Sequence, residues 1–331
     1  MAAGAFAFRS RLRAVTDHTV TGLAILATVL VIAPLAAIFI YLIYKGASSL
    51  NWDFFTKVPA PEGESGGGMA NAIVGSAVVL ALASVIGVPI GIGSGVYLAE
   101  FGRGTKLANA VRFTADVLNG VPSIVMGVTA YALIVFRHVV DLPSAHLLFP
   151  VYQIMHWVTG HLPIPAVVDM DDTGWHFILG GHFSAFSGGV ALGIMMIPTV
   201  CRSTEEMLLM VPHAVREAAL GLGVPNWRSV LSITVRTASP GIITGCMLAF
   251  ARVAGETAPL LFTALGNQFW STSLNEPIAA LPLQIYVYAI SPYDDQHRLA
   301  WAGALVLIAL IVLAVSLVRW VTSRGVLKGA S

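Results

Sequence analysis

The sequence predicts an all-α integral membrane protein with six transmembrane helices. Three observations carry that prediction. Of the 331 residues, 56% are hydrophobic and only 11% are charged, whereas a soluble domain carries about 25% charge. Several apolar stretches reach the ~20 residues that a helix needs to cross a hydrocarbon core about 30 Å thick. Lys and Arg are segregated between alternate connections, as in chains with a fixed orientation in a bilayer.

The first span covers 19–44. Arg9, Arg11 and Arg13 precede it, as in a secretory signal, but the uncharged run is far longer than a signal's apolar region of about 7–15 residues. It reads as a retained helix. The second span, 71–98, is rich in glycine (Gly75, Gly87, Gly91, Gly93, Gly95). The remaining four cover 111–136, 188–210, 238–265 and 299–318. A backbone in lipid must satisfy its own hydrogen bonds, so these are helices; the short alternating segments of a β-barrel are lacking.

Orientation follows from the basic residues. One side holds Arg9, Arg11, Arg13, Arg103, Lys106, Arg112, Arg202, Arg216, Arg228, Arg236, Arg319, Arg324 and Lys328, which is 13 of 18. The other holds Lys45, Lys57, Arg137 and Arg298, and Arg252 falls inside the fifth span. The richer side is cytoplasmic, which places both termini in the cytoplasm. The chain divides into an N-terminal part, 1–70 (tail, first helix and outer loop), a transmembrane domain, 71–320, and a cytoplasmic tail, 321–331. Within the domain lie an outer insertion, 137–187, and a cytoplasmic loop, 212–236.

Composition excludes several function classes. A net charge of +1 leaves no basic footprint for nucleic acid. Cys201 and Cys246 both lie in apolar stretches, against a disulfide framework or a thiolate metal site. The insertion holds six of the nine histidines and Asp169, Asp171 and Asp172, but their spacing matches no common ligand pattern, and no metal is expected. Its middle, 146–161, is apolar with Tyr152 and Trp157, which suits a helix lying at the membrane interface. Gly91, Gly93 and Gly95 lack the strand–loop–helix frame of a phosphate loop and read instead as close helix packing. The dipeptide Gly-Lys is absent, so the chain has no Walker A loop and no cofactor is expected on it.

The cytoplasmic loop is the most informative connection. Glu217 to Leu222 reads as a short helix, stopped by Gly223 in a left-handed conformation and kept stopped by Pro225. Such a helix is either a handle for a partner or an ordinary amphipathic connector. Glu217-Ala218-Ala219, three residues, Gly223, nine residues and Ile233 resembles the signature loop of ABC importer permeases, although Arg236 stands where that family often has Pro.

The stretch from Ala251 through Arg252, Glu256, Thr257 and Pro259 to Ala264, with Gly266-Asn267-Gln268-Phe269-Trp270 after it, resembles the PstA family of phosphate importer permeases. Asn119-Gly120-Val121-Pro122-Ser123-Ile124 and the stretch from Ile197 to Glu206 fit the same family. The resemblance implies a type I ABC importer permease fold, with a five-helix core preceded by one extra helix. It implies a membrane complex with a homologous permease, PstC, two copies of an ATPase, PstB, that binds the ATP, and a phosphate-binding protein, PstS. It places ATPase coupling on Glu217, Ala218, Ala219 and Gly223, and a substrate path along Arg252, Glu256, Thr257, Asn119 and Ser123, with Arg202 as accessory. Permeases for molybdate, sulfate or phosphonate, and an intramembrane enzyme using Glu256 or His, are the rival readings.

Arg252 and Glu256 have a physical reading of their own. Four residues apart on a helix they share a face and can neutralise each other. A central Arg costs about 2.5–3.5 kcal/mol to insert, and such residues usually face a bundle interior or a wet path. Its planar fork suits bidentate contact with phosphate oxygens.

Overall fold

Five helices of the computed structural model are long and apolar enough to cross a membrane, and a bent pair makes a sixth candidate. The structure describes residues 2–61, 63–136, 138–142, 166–171, 174–179 and 182–328. Helix α1 (Ala2–Ala47) is followed by the short α2 (Trp52–Thr56) and by α3 (Ala70–Val96), which continues through a π-helical turn, Tyr97–Phe101. Next come α4 (Lys106–Gly120) and α5 (Ser123–Ala130), the latter extended by a second π turn, Tyr131–Val135. After the outer insertion follow α6 (Ala185–Leu209), α7 (His213–Gly221) and α8 (Asn226–Ser229). A third π turn, Val230–Thr234, joins α8 to α9 (Val235–Ala254). The chain ends with α10 (Ala258–Thr263), α11 (Leu281–Ala289) and α12 (Asp294–Lys328).

Two expected spans are corrected. The third, 111–136, is not one helix: α4 stops at Gly120 and α5 leaves at 108° to it. Pro122 forces the change, because it disfavours a helical conformation at Val121, which is extended at φ −71°, ψ 131°. The fifth, 238–265, also breaks. Helix α9 ends at Ala254 with Gly255 as its cap, and the chain turns before α10 begins at Ala258. Pro259 occupies the first turn of α10, where its lost N–H is harmless; inside a continuous helix it would clash with the preceding turn.

The centre of the fold is the contact between α3 and α6. Gly87, Gly91 and Gly95 recur every four residues and so line one face of α3. A β-carbon on Gly91 would lie 2.6 Å from Val200 Cβ, and one on Gly95 would lie 2.6 Å from Thr204 Cβ. From the other side, Gly189 accommodates Leu82, and Gly193 lies beside Ala83 and Ile86. Lipid offers no hydrophobic drive between helices, so van der Waals contact at short separation holds the pair. Around it gather Val79, Leu192, Met196 and Val200, with Ile242, Ala249 and Val253 of α9.

Outer connections anchor on the same helices. Ser184 caps α6 by accepting from Ser187 N, and its own N–H donates to Thr263 O at 3.0 Å. Ser76 accepts from Leu281 N at 2.7 Å, and Asn71 Nδ2 donates to Asn267 O at 2.8 Å. A second cluster packs Phe54, Met69, Leu281, Tyr288 and Ala302 together. Helix α1 is peripheral: none of its most apolar window is buried, and it meets the chain through α12, where Tyr41 sits edge-on to Trp301 at 5.2 Å.

The insertion departs from an all-helical description. It contributes a three-stranded antiparallel sheet in the order β1–β3–β2, formed by β1 (His138–Leu142), β2 (Ala166–Asp171) and β3 (Gly174–Leu179). Val139, Val140, Val167, Val168, Phe177 and Ile178 are strand formers. The register puts Asp141, His176 and Asp169 in one row across the sheet. The interfacial helix expected over 146–161 lies outside the described residues.

The glycine contact is directly testable. Gly91→Leu is expected to destabilise the protein by overpacking, about 1–3 kcal/mol or more, and to lower its yield and melting temperature in detergent. Gly93→Leu is the matched control, because nothing lies within 4 Å of a β-carbon there. Equal behaviour of the two variants would contradict the packing.

Candidate functional site

A polar ladder joins α4 to α6. Asn109, Arg112, Asp116 and Asn119 lie at helical spacing on one face of α4. Thr199, Arg202 and Glu205 form the matching stripe on α6. Arg112 Nε donates to Glu205 Oε1 at 2.6 Å, Arg202 Nε to Asp116 Oδ1 at 2.8 Å, and Thr199 Oγ1 to Asn119 Oδ1 at 3.2 Å. Arg202 Nη1 also donates to Glu205 Oε2 at 3.2 Å, so the buried Glu205 carboxylate holds two guanidinium groups. Arg112 Nη2 further donates to Leu98 O at 3.0 Å, which ties the ladder to the end of α3. The two helices run antiparallel along these pairs. Removing one partner of a buried pair costs about 3–5 kcal/mol because the other charge is stranded.

Two of the expected site residues, Asn119 and Arg202, therefore belong to this ladder. Arg202 is satisfied by carboxylates. Arg252 is different. It stands in the last turn of α9, is exposed on the chain, and pairs with no carboxylate among the described residues. The expected pair with Glu256 does not form. Glu256 lies beyond the Gly255 cap, with its N–H donating to Val253 O at 3.1 Å, so the two residues share no helix face. Thr257, half-buried, directs its hydroxyl to Pro282 O at 3.5 Å.

The register of α9 on α6 locates Arg252. On α9, Gly241 lies against Met207 and Gly245 against Ser203 of α6. Continuing two turns brings Arg252 level with Met196. The short helices beyond the two breaks then touch: a β-carbon on Gly127 of α5 would lie 2.9 Å from Pro259 Cα of α10. The segments that follow the two breaks are therefore neighbours. Discontinuous helices in a membrane free backbone groups and line cavities rather than lipid.

The cytoplasmic loop folds as α7, which starts at His213, four residues earlier than the sequence suggested. Its end is a Schellman motif: Gly223 N donates to Leu220 O at 2.9 Å and Val224 N to Ala219 O at 3.2 Å. Gly223 is left-handed at φ +79°, as the sequence indicated. Glu217 and Ala218 face outward with Leu220 and Leu222, whereas Ala219 is buried. Arg216 turns inward, onto Glu100 Oε1 at 2.6 Å and Leu208 O at 2.8 Å. Sequence reasoning missed Glu100, Arg112, Asp116 and the inward role of Arg216. The stripe spacing on α4 was visible, but its partner on α6 was not.

The region from α3 onward matches a known family. Residues 87–325 fit the model of the binding-protein-dependent transport system inner membrane component. The chain belongs to this family. The Phosphate transport system permease protein PstA of Xylella fastidiosa (strain 9a5c) is 44% identical to it over 272 residues, 82% of this chain and 80% of that protein. The protein of the same name from Haemophilus influenzae (strain ATCC 51907 / DSM 11121 / KW20 / Rd) is 40% identical over 297 residues, 89% of each. A chain of the MetNI methionine ABC transporter, inward facing, overlaps with a TM-score of 0.48 at 17% identity, covering 80% of this chain and 97% of that one. The protein is accordingly an ABC importer permease, a membrane transport subunit. The matched region begins inside α3 and leaves out α1 and α2.

The left-handed cap of the permease's α7 gives a prediction. Gly223→Val places a β-branched residue where a left-handed conformation costs about 1–2 kcal/mol. Nothing else lies near that position. The variant is expected to insert and fold but to lose transport as the last turn of α7 unwinds. Normal uptake by Gly223→Val would show that the capped shape is dispensable.

Proposed function

We propose that this permease carries inorganic phosphate into the cell. The carrying observation is the identity of at least 40% to phosphate transport permeases across more than four fifths of the chain. The chemistry of the site supports it. Arg252 offers a permanently charged planar fork at the end of α9, whose following helix touches the one beyond the break in α4, and a guanidinium binds phosphate oxygens bidentately. Asn119, Ser123, Glu256 and Thr257 lie at or beside the same two breaks and complete the proposed path. Exposure of Arg252 on the single chain suits a path lined jointly with a second permease.

The proposed assembly contains a homologous permease of the PstC kind, two PstB-type ATPases under the α7 loops, and a PstS-type binding protein outside. ATP binds to the ATPases; Glu217, Ala218 and Gly223 form the docking surface on this chain, with Ala219 buried beneath it. Both termini lie in the cytoplasm. The divisions at 1–70, 71–320 and 321–331 are functional ones in this scheme, separating an accessory helix, the transporting domain and a tail.

Uptake of labelled phosphate, with sulfate uptake as control, tests the reading. Arg252→Gln is expected to assemble normally and to lose nearly all phosphate uptake, and Arg252→Lys to recover little, because an ammonium lacks the fork. Since Glu256 does not neutralise Arg252, Glu256→Gln is expected to have a milder effect than Arg252→Gln. Full uptake by Arg252→Gln would falsify a direct role for this cation. Reporter fusions test orientation: Gly67, His161 and Asn275 are expected outside, Lys106 and Asn226 inside. Fusions at Lys106 and His161 on the same side would mean that the bent α4–α5 pair does not cross.

A further inference from the structure

We infer that the buried Glu100–Arg216 ion pair is a latch that makes α7 move as one body with α3 and α6, so that it sets how much of the ATPase stroke reaches the transport path. The inference rests on the proposed docking of an ATPase on α7.

The geometry is specific. Arg216 Nε and Nη2 both donate to Glu100 Oε1, at 3.1 and 2.6 Å. Its remaining donors reach Val211 O at 2.7 Å and Leu208 O at 2.8 Å. These carbonyls lie at the C-terminal end of α6, where a cation complements the helix dipole. The side chains are 13% and 7% exposed, so solvent screens the pair weakly. Glu100 sits in the π-helical turn that ends α3, a feature often found at functional positions. One side chain therefore joins three elements.

The alternative path for force carries no polar tie. Helix α7 otherwise joins α6 through the short link at Val211 and Pro212, extended at ψ 140°, and rests on apolar packing of Val215 and the buried Ala219. Among the described residues of α7, Arg216 makes the only side-chain hydrogen bonds to other helices. Without it, a push on the outward residues Leu220 and Leu222 would swing α7 about Pro212. With it, the push reaches the ends of α3 and α6, which the glycine contact already moves together. The α4–α6 ladder cannot substitute, because none of its hydrogen bonds among the described residues reaches α7.

Arg216 and Glu100 are positioning residues, so the test reads coupling rather than presence. The complete importer is reconstituted in liposomes with wild type, Glu100→Ala, Glu100→Gln and the double variant Glu100→Cys/Arg216→Cys. Assembly, ATP hydrolysis and phosphate transported per ATP are measured for each. Glu100→Ala is expected to assemble and hydrolyse ATP while transport per ATP falls about tenfold, within the usual range of coupling between sites. Glu100→Gln, which keeps an acceptor oxygen, is expected to lie between Glu100→Ala and wild type. Joining the two cysteines with a short bismaleimide is expected to restore most of the ratio. An unchanged ratio in Glu100→Ala, or no recovery on joining, overturns the latch. Should Glu100→Ala fail to assemble, Glu100→Gln decides by the same ratio. A wild-type chain that recruits no ATPase would instead overturn the docking reading on which the latch rests.

Discussion

Close approach of α3 and α6 is the constraint on which the rest of the structure depends. In a bilayer the chain gains nothing by hiding apolar side chains from lipid, so helix association relies on short-range contact. Glycines at 87, 91 and 95 on one side, and at 189 and 193 on the other, let the two backbones come together. Their separation then decides what else fits. Helix α9 packs against the pair through Gly241 and Gly245, and the outer loops return to it through Ser76 and Ser184. Where α3 and α6 end beside α7, the same pair presents Glu100 and the Leu208 carbonyl to Arg216.

Charge is distributed on this frame with a clear division of labour. Ionised groups near lipid are expensive unless compensated. Arg112, Asp116, Arg202 and Glu205 compensate one another along α4 and α6, which leaves that region electrically quiet and rigid. Arg252 stands outside the network. A cation that is not consumed by a neighbouring carboxylate remains available to an anion, whereas Arg202 would first have to give up two partners. The difference between these arginines lies in their neighbours, since both occupy apolar spans of the sequence.

Interruption of helices serves the same end. A continuous helix offers only side chains to a path, while a broken one also exposes amide and carbonyl groups. Pro122 and Pro259 end or restart helices beside Asn119, Ser123, Glu256 and Thr257. Elsewhere, Gly223 ends α7 sharply, and Leu220, Leu222 and Trp227 are exposed around it. The permease thus holds a closely packed pair, two interrupted helices beside it, and a short capped helix tied to the ends of the pair.

By itself the sequence determined that the chain spans a membrane, roughly where, and which residues carry unusual chemistry. Those features are local: apolar run length, the segregation of Lys and Arg, an isolated Arg in an apolar span, and a glycine after a short helical motif. Each acts through nearby backbone or through the bilayer, so no partner need be known. The breaks at Val121 and Gly255 were also legible in Pro122 and Pro259, yet hydropathy runs across both, because apolar residues continue on either side of a bend. Only tertiary structure decided how charges pair. Glu256 is four residues from Arg252, but the helix that would have aligned them ends between them. Glu205 finds Arg112 from 93 positions away, and Glu100 finds Arg216 from 116. Ion pairs of such separation depend on the register in which helices pack, and that register is set by glycine contacts on faces that the linear sequence does not match to one another.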